Sequence, residues 1–313
     1  MRWLFSFMEV LDELTLNFNQ QSLQLLNFCL SLVMFGVALE LTVADFQRLF
    51  RSPRSVLVGL ASQLLLLPAI SYVLVLILQP TISVALGMLL VAACPGGNLS
   101  NMFTVMAKGN GALSVSLTAL ATLVAVVTVP LNLTFWSGLY LQSQNEVPVI
   151  SLSVGQMIGT LLWVVGLPLL IGMLVNHYFP QFTQKARRPM RIISLIIFAA
   201  FIIAAFSANF NLFLQYVHLL LLIVLAHNAL AYLLGYGVSA LFRLKLSDRK
   251  AIAIETGIQN SGLALVIIFN FYDGLGGMAF LAGWWGIWDI ITGLLLAWGF
   301  ARVGKQRALP KYS

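Results

Sequence analysis

The stretch Cys94-Pro95-Gly96-Gly97-Asn98-Leu99-Ser100-Asn101, continued by Lys108-Gly109-Asn110-Gly111-Ala112-Leu113-Ser114 and Thr118, decides the fold. It lies inside a long apolar segment. Yet Pro95 withholds a backbone donor and clashes with the preceding turn, and two glycines after it favour unwinding. Backbone opened at membrane depth is tolerated only where protein buries it or where it lines a cavity. The stretch therefore reads as a broken helix at a site.

The apolar setting extends along the whole chain. Its 313 residues are 60% hydrophobic and 9% charged, with a mean hydropathy of +0.95. Soluble domains carry about 25% charged residues, so this composition specifies an integral membrane protein. A crossing helix needs about 20 apolar residues. Nine segments qualify: 21–42, 54–78, 82–107, 111–137, 149–176, 191–209, 213–242, 250–271 and 278–301. Residues 1–20 are too short and too charged to span. Trp3, Leu4, Phe7, Met8, Leu11 and Leu14 share a helical face, which predicts an amphipathic segment at the interface. Residues 304–313 are left as a polar tail.

The net charge of +7 resembles that of a nucleic-acid binder only until its placement is considered. Of 17 Lys and Arg residues, 16 fall after the first, third, fifth, seventh and ninth segments or at their edges. They are Arg48, Arg51 and Arg54; Lys108; Lys185, Arg187, Arg188 and Arg191; Arg243, Lys245, Arg249 and Lys250; and Arg302, Lys305, Arg307 and Lys311. The intervening loops carry none. This alternation is a topology signal. It predicts a multi-pass protein of the plasma (inner) membrane, with its N-terminus outside and its C-terminus in the cytoplasm. Nucleic acid is not an expected partner. Cys29 and Cys94 both sit in apolar segments and suggest neither a disulfide framework nor a metal centre.

A second polar run interrupts the eighth segment: Glu255-Thr256-Gly257-Ile258-Gln259-Asn260-Ser261-Gly262. Glu255 could be an interfacial carboxylate paired with Arg249 or Lys250. The polarity continues inward, however, and an intramembrane ionisable group is a functional candidate by default. Gln63 lies mid-segment beside Pro68, and Ser114 and Thr118 share a helix face. Such hydroxyls also pack or bond back to their own helix. In the ninth segment Asp289 follows Trp284, Trp285 and Trp288, aromatics of the kind that form interfacial belts. His218 and His227 suit hydrogen bonding better than metal binding.

The two breaks lie in oppositely directed segments. Paired interruptions of this kind mark the site of a secondary transporter. Glu255, the hydroxyls of Ser100, Ser114 and Thr118, and the amides of Gln63, Asn101 and Gln259 form a hard, oxygen-rich ligand set that suits Na⁺. The freed amides of Leu99, Ser100 and Asn101 would face an anionic substrate. Three alternatives remain open: proton coupling through Glu255 or Asp289, an intramembrane hydrolase using those two as an acid pair, and a channel.

At these residues the chain resembles the bile acid:sodium symporter family (SBF or BASS). The likeness rests on Cys94-Pro-Gly-Gly-x-x-Ser-Asn101, Gly109-Asn-x-Ala-Leu-Ser114-x-x-x-Thr118 and Glu255-x-Gly-x-Gln-Asn-Ser-Gly262, with Gln63 and Trp288 in register. It covers residues from about 25 to 303. The resemblance implies an all-α fold of two inverted repeats, here four helices plus five because the first is absent. The halves would be residues 21–137 and 149–301. It also implies a core domain holding two crossing broken helices and a panel domain that moves against it. Two co-transported Na⁺ are implied and no resident cofactor. One site would use Ser100, Asn101, Ser114, Thr118 and Glu255. The other would use Gln63, Glu255, Gln259 and the carbonyls of Thr256 and Ile258. The implied substrates are organic anions such as bile acids, pantoate or 2-keto acids, bound beside Asn98, Leu99, Asn260 and Trp288. Asp289-Ile290 departs from the His-Asn that bacterial relatives tend to carry. An ionised acid there would repel an anion, or attract a cationic or zwitterionic substrate.

Overall fold

The computed structural model describes residues 10–16, 20–42, 45–47, 52–144, 153–207 and 210–306. The sequence expectations for residues 1–9, for Arg48, Arg51, Arg307 and Lys311, and for 149–152 and 208–209 lie outside these. Apart from two isolated backbone bridges, no strand occurs among the described residues. The helices are α1 (Val10–Glu13), α2 (Gln20–Ala38), α3 (Pro53–Leu78), α4 (Ile82–Ala93), α5 (Leu99–Met106) and α6 (Gly111–Ser143). There follow α7 (Val154–Tyr178), α8 (Pro180–Ser207), α9 (Phe210–Leu241), α10 (Leu246–Gly257), α11 (Ser261–Phe271) and α12 (Gly276–Gln306).

Among the described residues, five helices are long and apolar enough to cross a membrane: α3, α6, α7, the Leu220–Leu241 part of α9, and the Gly276–Arg302 part of α12. The expected third segment, 82–107, is divided into α4 and α5, and the expected eighth, 250–271, belongs to α10 and α11. Each half is too short to qualify alone, because the breaks fall where the polar runs predict them. The basic stretch Lys185–Arg191 is not a loop before the sixth segment. It forms early turns of α8, which starts at Pro180.

Helices α2, α7 and α8 pack on one another. The other long helices gather around the two broken ones, with α9 against α10 and α4 against α12. Every residue from Ser83 to Ala93 is buried, so α4 runs through the interior. Its first turn is capped by Asp12, whose carboxylate accepts from the Ile82 and Ser83 amides at 3.2 and 2.8 Å. Residues 14–16 pair with the turn before α12: Leu16 N–H donates to Gly274 O and Gly276 N–H to Leu14 O. Leu11 and Leu16 are buried in the main core.

Two helices widen into a π turn just before a proline, at Ser62–Leu66 ahead of Pro68 and at Leu162–Gly166 ahead of Pro168. Proline cannot donate to the carbonyl four residues back and its ring pushes that carbonyl away, so the turn expands. The freed carbonyls find donors on other helices. Asn132 Nδ2 donates to Leu64 O at 3.1 Å, and the Ser31 hydroxyl shares its one proton between Val164 O at 3.2 Å and Asn27 O at 2.8 Å. In a non-aqueous interior such rescue is what makes a proline tolerable.

Candidate functional site

The site is built where the chain between α4 and α5 meets the chain between α10 and α11. The two breaks lie side by side, with Gly96 and Gln259 forming an antiparallel bridge. Gly97 N–H donates to Ile258 O at 3.0 Å, and Asn260 N–H donates to Pro95 O at 2.9 Å. Each helix lends the other the backbone partner that its own opening removed. Asn260 also caps α11 by accepting from Leu263 N–H at 3.0 Å. Asn110 does the same for α6, accepting from Leu113 N–H at 3.1 Å.

Glu255 stands at the end of α10, 1% exposed. Its Oε2 accepts from the Ser100 hydroxyl at 2.6 Å and the Ser114 hydroxyl at 2.8 Å. Its Oε1 accepts from Thr118 Oγ1 at 2.5 Å, and that hydroxyl lies 3.3 Å from Asn101 Oδ1. The five residues of the first expected group are therefore together. Thr118 also bonds back to Ser114 O at 3.1 Å, so the bland role and the site role coexist. Neither Arg249 nor Lys250 partners Glu255. Arg249 Nε donates to Leu244 O at 2.7 Å. Lys250 Nζ donates to Ala107 O and Phe300 O at 2.9 and 2.7 Å.

The second group converges from the other side. Gln63 Nε2 donates to Glu255 O at 3.2 Å, and Gln259 Nε2 donates to Thr256 O at 2.7 Å. The opposite ends of both amides, Gln63 Oε1 and Gln259 Oε1, are buried with no partner among the described residues, as is Thr256 Oγ1. Orphaned buried acceptors are uncommon and call for an explanation. A hard cation supplies one, because it needs oxygen lone pairs and no donors. The carbonyls of Thr256 and Ile258 already accept one hydrogen bond each, and a carbonyl has a second lone pair to offer. Gly96 allows the close approach. A Cβ there would lie 2.5 Å from Glu255 Oε1 and 2.7 Å from Gln63 Nε2.

Of the expected substrate-side residues, Asn98, Leu99, Asn260 and Asp289 line one cavity of about 790 Å³ between α2 and the crossing. Trp288 is not part of that wall; it stacks on Trp284 with ring centroids 6.4 Å apart. Asp289 is 2% exposed and also braces the second break. Its Oδ2 accepts from Gln259 N–H at 3.1 Å and its Oδ1 from Asn228 Nδ2 at 3.2 Å. Asn228 Nδ2 donates to Gly257 O as well, at 2.8 Å. Asn228 is a residue that sequence reasoning passed over. Its only signal was a second polar side chain, next to His227, inside an apolar helix. His227 does form a hydrogen bond, to Ser71 Oγ at 2.5 Å.

The fold and site define a multi-pass membrane protein built around two mutually paired helix breaks. The chain belongs to the sodium bile acid symporter family, whose model matches residues 27–216. It is 33% identical over 285 residues to the uncharacterized sodium-dependent transporter YocS of Bacillus subtilis, covering 91% of this chain and 85% of that one. It is 33% identical to the probable chloroplastic sodium/metabolite cotransporter BASS2 of rice (76% of this chain, 55% of that one). It is 29% identical to sodium/bile acid cotransporter 5 of rat (79% and 55%). The chain thus spans just over half the length of these plant and mammalian relatives. All three are named as transporters or cotransporters rather than enzymes.

Proposed function

We propose that the protein is a Na⁺-driven symporter of a small organic acid, with nine spans in two inverted halves and its C-terminus in the cytoplasm. The observation that carries this is the cage at the crossing. One carboxylate, three hydroxyls and two orphaned amide oxygens meet where both helices are open. Two Na⁺ fit as co-transported ions, sharing Glu255. One would sit toward Ser100, Asn101, Ser114 and Thr118. The other would sit toward Gln63, Gln259 and the carbonyls of Thr256 and Ile258.

Coupling follows if Na⁺ orders the paired breaks and so completes the surface around Asn98, Leu99 and Asn260. Ion and solute then favour the same state. The cavity runs from the crossing toward Met106, Thr42 and Asp45, the end that the basic residues assign to the cytoplasm. That supports an inward-open state. The test is uptake into proteoliposomes with an imposed Na⁺ gradient, using a solute found by thermal-shift screening of organic acids. Glu255→Ala and Gln259→Ala should each reduce Na⁺-driven uptake to background. Full uptake driven by a pH gradient without Na⁺ would sink the sodium reading in favour of proton coupling.

A further inference from the structure

Asp289 is a buried acid outside the proposed sodium cage, and it lies in the wall of the large cavity. Most of that wall is apolar, as at Leu30, Met34 and Met102, and the polar groups at the crossing are few. No Lys or Arg lines it among the described residues. Both oxygens of Asp289 accept hydrogen bonds, from Asn228 Nδ2 and Gln259 N–H. Donation to both oxygens suits the ionised form. Both donors are neutral, so among the described residues the carboxylate has hydrogen bonds and no counter-ion. A buried carboxylate in that position is costly until a positive group joins it.

A smaller adjoining cavity of about 150 Å³ shares Asn98 and Asn101 with the large one and is bounded by Arg187. The guanidinium is held by Leu39 O at 2.9 Å and Asn176 Oδ1 at 3.1 Å, through Nε and one Nη. It has five donors in all. The large cavity thus carries three acids, Asp289 at the crossing with Glu40 and Asp45 toward its far end, while its neighbour carries one guanidinium; Asn98 and Glu40 are common to both.

We propose that the transported solute is zwitterionic, an apolar body whose cationic group meets Asp289 while its acid faces Asn98 and Arg187. The transport step rests on the symport reading above; the charge preference of the walls does not.

Cys29 permits a direct test, because it lines the large cavity and is partly exposed while Cys94, the other cysteine, is fully buried. Purified protein is treated with a trimethylammonium-ethyl or a sulfonato-ethyl methanethiosulfonate. Each rate at Cys29 is divided by that reagent's rate with a free thiol. The expected result is a preference for the cation of about tenfold or more, the scale on which charged clefts concentrate counter-ions. Asp289→Asn should lower the preference several-fold, and Arg187→Gln should raise it. A wild-type ratio at or below one overturns the proposal. So does failure of both reagents to reach Cys29, or an unchanged ratio in a folded Asp289→Asn variant. A wild-type ratio at or below one overturns it even if that variant does not fold, whereas a cation preference counts for Asp289 only when Asp289→Asn lowers it, since Glu40 and Asp45 share the wall. Repeating the rates in Na⁺ and in K⁺ separates the two ideas. A cation preference with no effect of Na⁺ supports the charge assignment and counts against the sodium cage.

Discussion

The two breaks are made in different ways. Between α4 and α5 the opening is written locally, in Pro95-Gly96-Gly97. Proline removes a donor there, and Gly96 leaves room for Glu255 and Gln63 against the backbone. Between α10 and α11 there is no proline. Four successive carbonyls there receive donors that the helix does not supply. Glu255 O takes Gln63 Nε2, Thr256 O takes Gln259 Nε2, Gly257 O takes Asn228 Nδ2, and Ile258 O takes Gly97 N–H. The Gln259 backbone N–H donates a hydrogen bond to Asp289 Oδ2. One break exists because its residues cannot continue a helix. The other exists because folding brings partners that outbid the helix. The hydrogen bond from Gly97 N–H to Ile258 O makes the second depend on the first.

That dependence is open to attack at Gly96, where the largest effect is expected. Gly96→Ala places a Cβ within 2.5 Å of Glu255 Oε1 and 2.7 Å of Gln63 Nε2, so one of them must move. Both belong to the proposed cage. Na⁺-driven uptake should fall by about 100-fold or more, a loss of close to 3 kcal/mol of coupling. Gly97→Ala meets Gln259 O as its nearest atom, at 3.1 Å, and should do less harm. Equal uptake in the two variants would show that Gly96 is a hinge rather than a site of close approach.

A smaller effect distinguishes the two kinds of break. Asn228→Ala strips a donor from Gly257 O and from Asp289 Oδ1 together. Leaving buried acceptors unsatisfied costs about 1–3 kcal/mol, and the variant should melt earlier and bind Na⁺ about tenfold more weakly. Pro95→Ala should cost less, about 1 kcal/mol or below, because Gly96, Gly97 and the bridge to Ile258 and Asn260 remain. Thermal melts of both variants with and without Na⁺ decide this. A larger loss from Pro95→Ala would reverse the account of which break is held from outside.

Legibility followed the same division. The first break can be read from Pro95 and two glycines, because its cause is local. The second is visible only as a polar run. Its Gly257 is the last residue of α10, and the Tyr232 ring would lie 2.2 Å from a Cβ there. The cage residues were legible because hydroxyls, amides and an acid are conspicuous in an apolar chain. Asn228, Asn132 and Ser31 were not, since a single polar residue in a helix gives no hint of which distant carbonyl it serves. Asp289 was legible as an anomaly in substrate terms, while its hold on the Gln259 amide depends on a fold that no spacing rule supplies. The length of α8 was missed because Lys185–Arg191 is charged, and charge does not preclude helix.

The π turns before Pro68 and Pro168 join both mechanisms, since a proline opens each and a distant side chain satisfies the carbonyl it frees. They differ in what the widened turn carries. Gln63, a cage residue, sits in the first, whereas the second, Leu162–Gly166, holds no proposed ligand. Ser31→Ala should destabilise the protein by about 1 kcal/mol and Asn132→Leu by about 2 kcal/mol, because Asn132 also accepts from Trp136 Nε1. Their effect on Na⁺ should differ. Without Asn132 on the Leu64 carbonyl, the turn that aims Gln63 loosens, and the Na⁺ concentration for half-maximal thermal stabilisation should rise about two- to threefold. Ser31→Ala should leave it unchanged. Equal Na⁺ dependence in the two variants would mean that Gln63 is aimed by its bond to Glu255 O alone. The proline would then shape the helix without tuning the site.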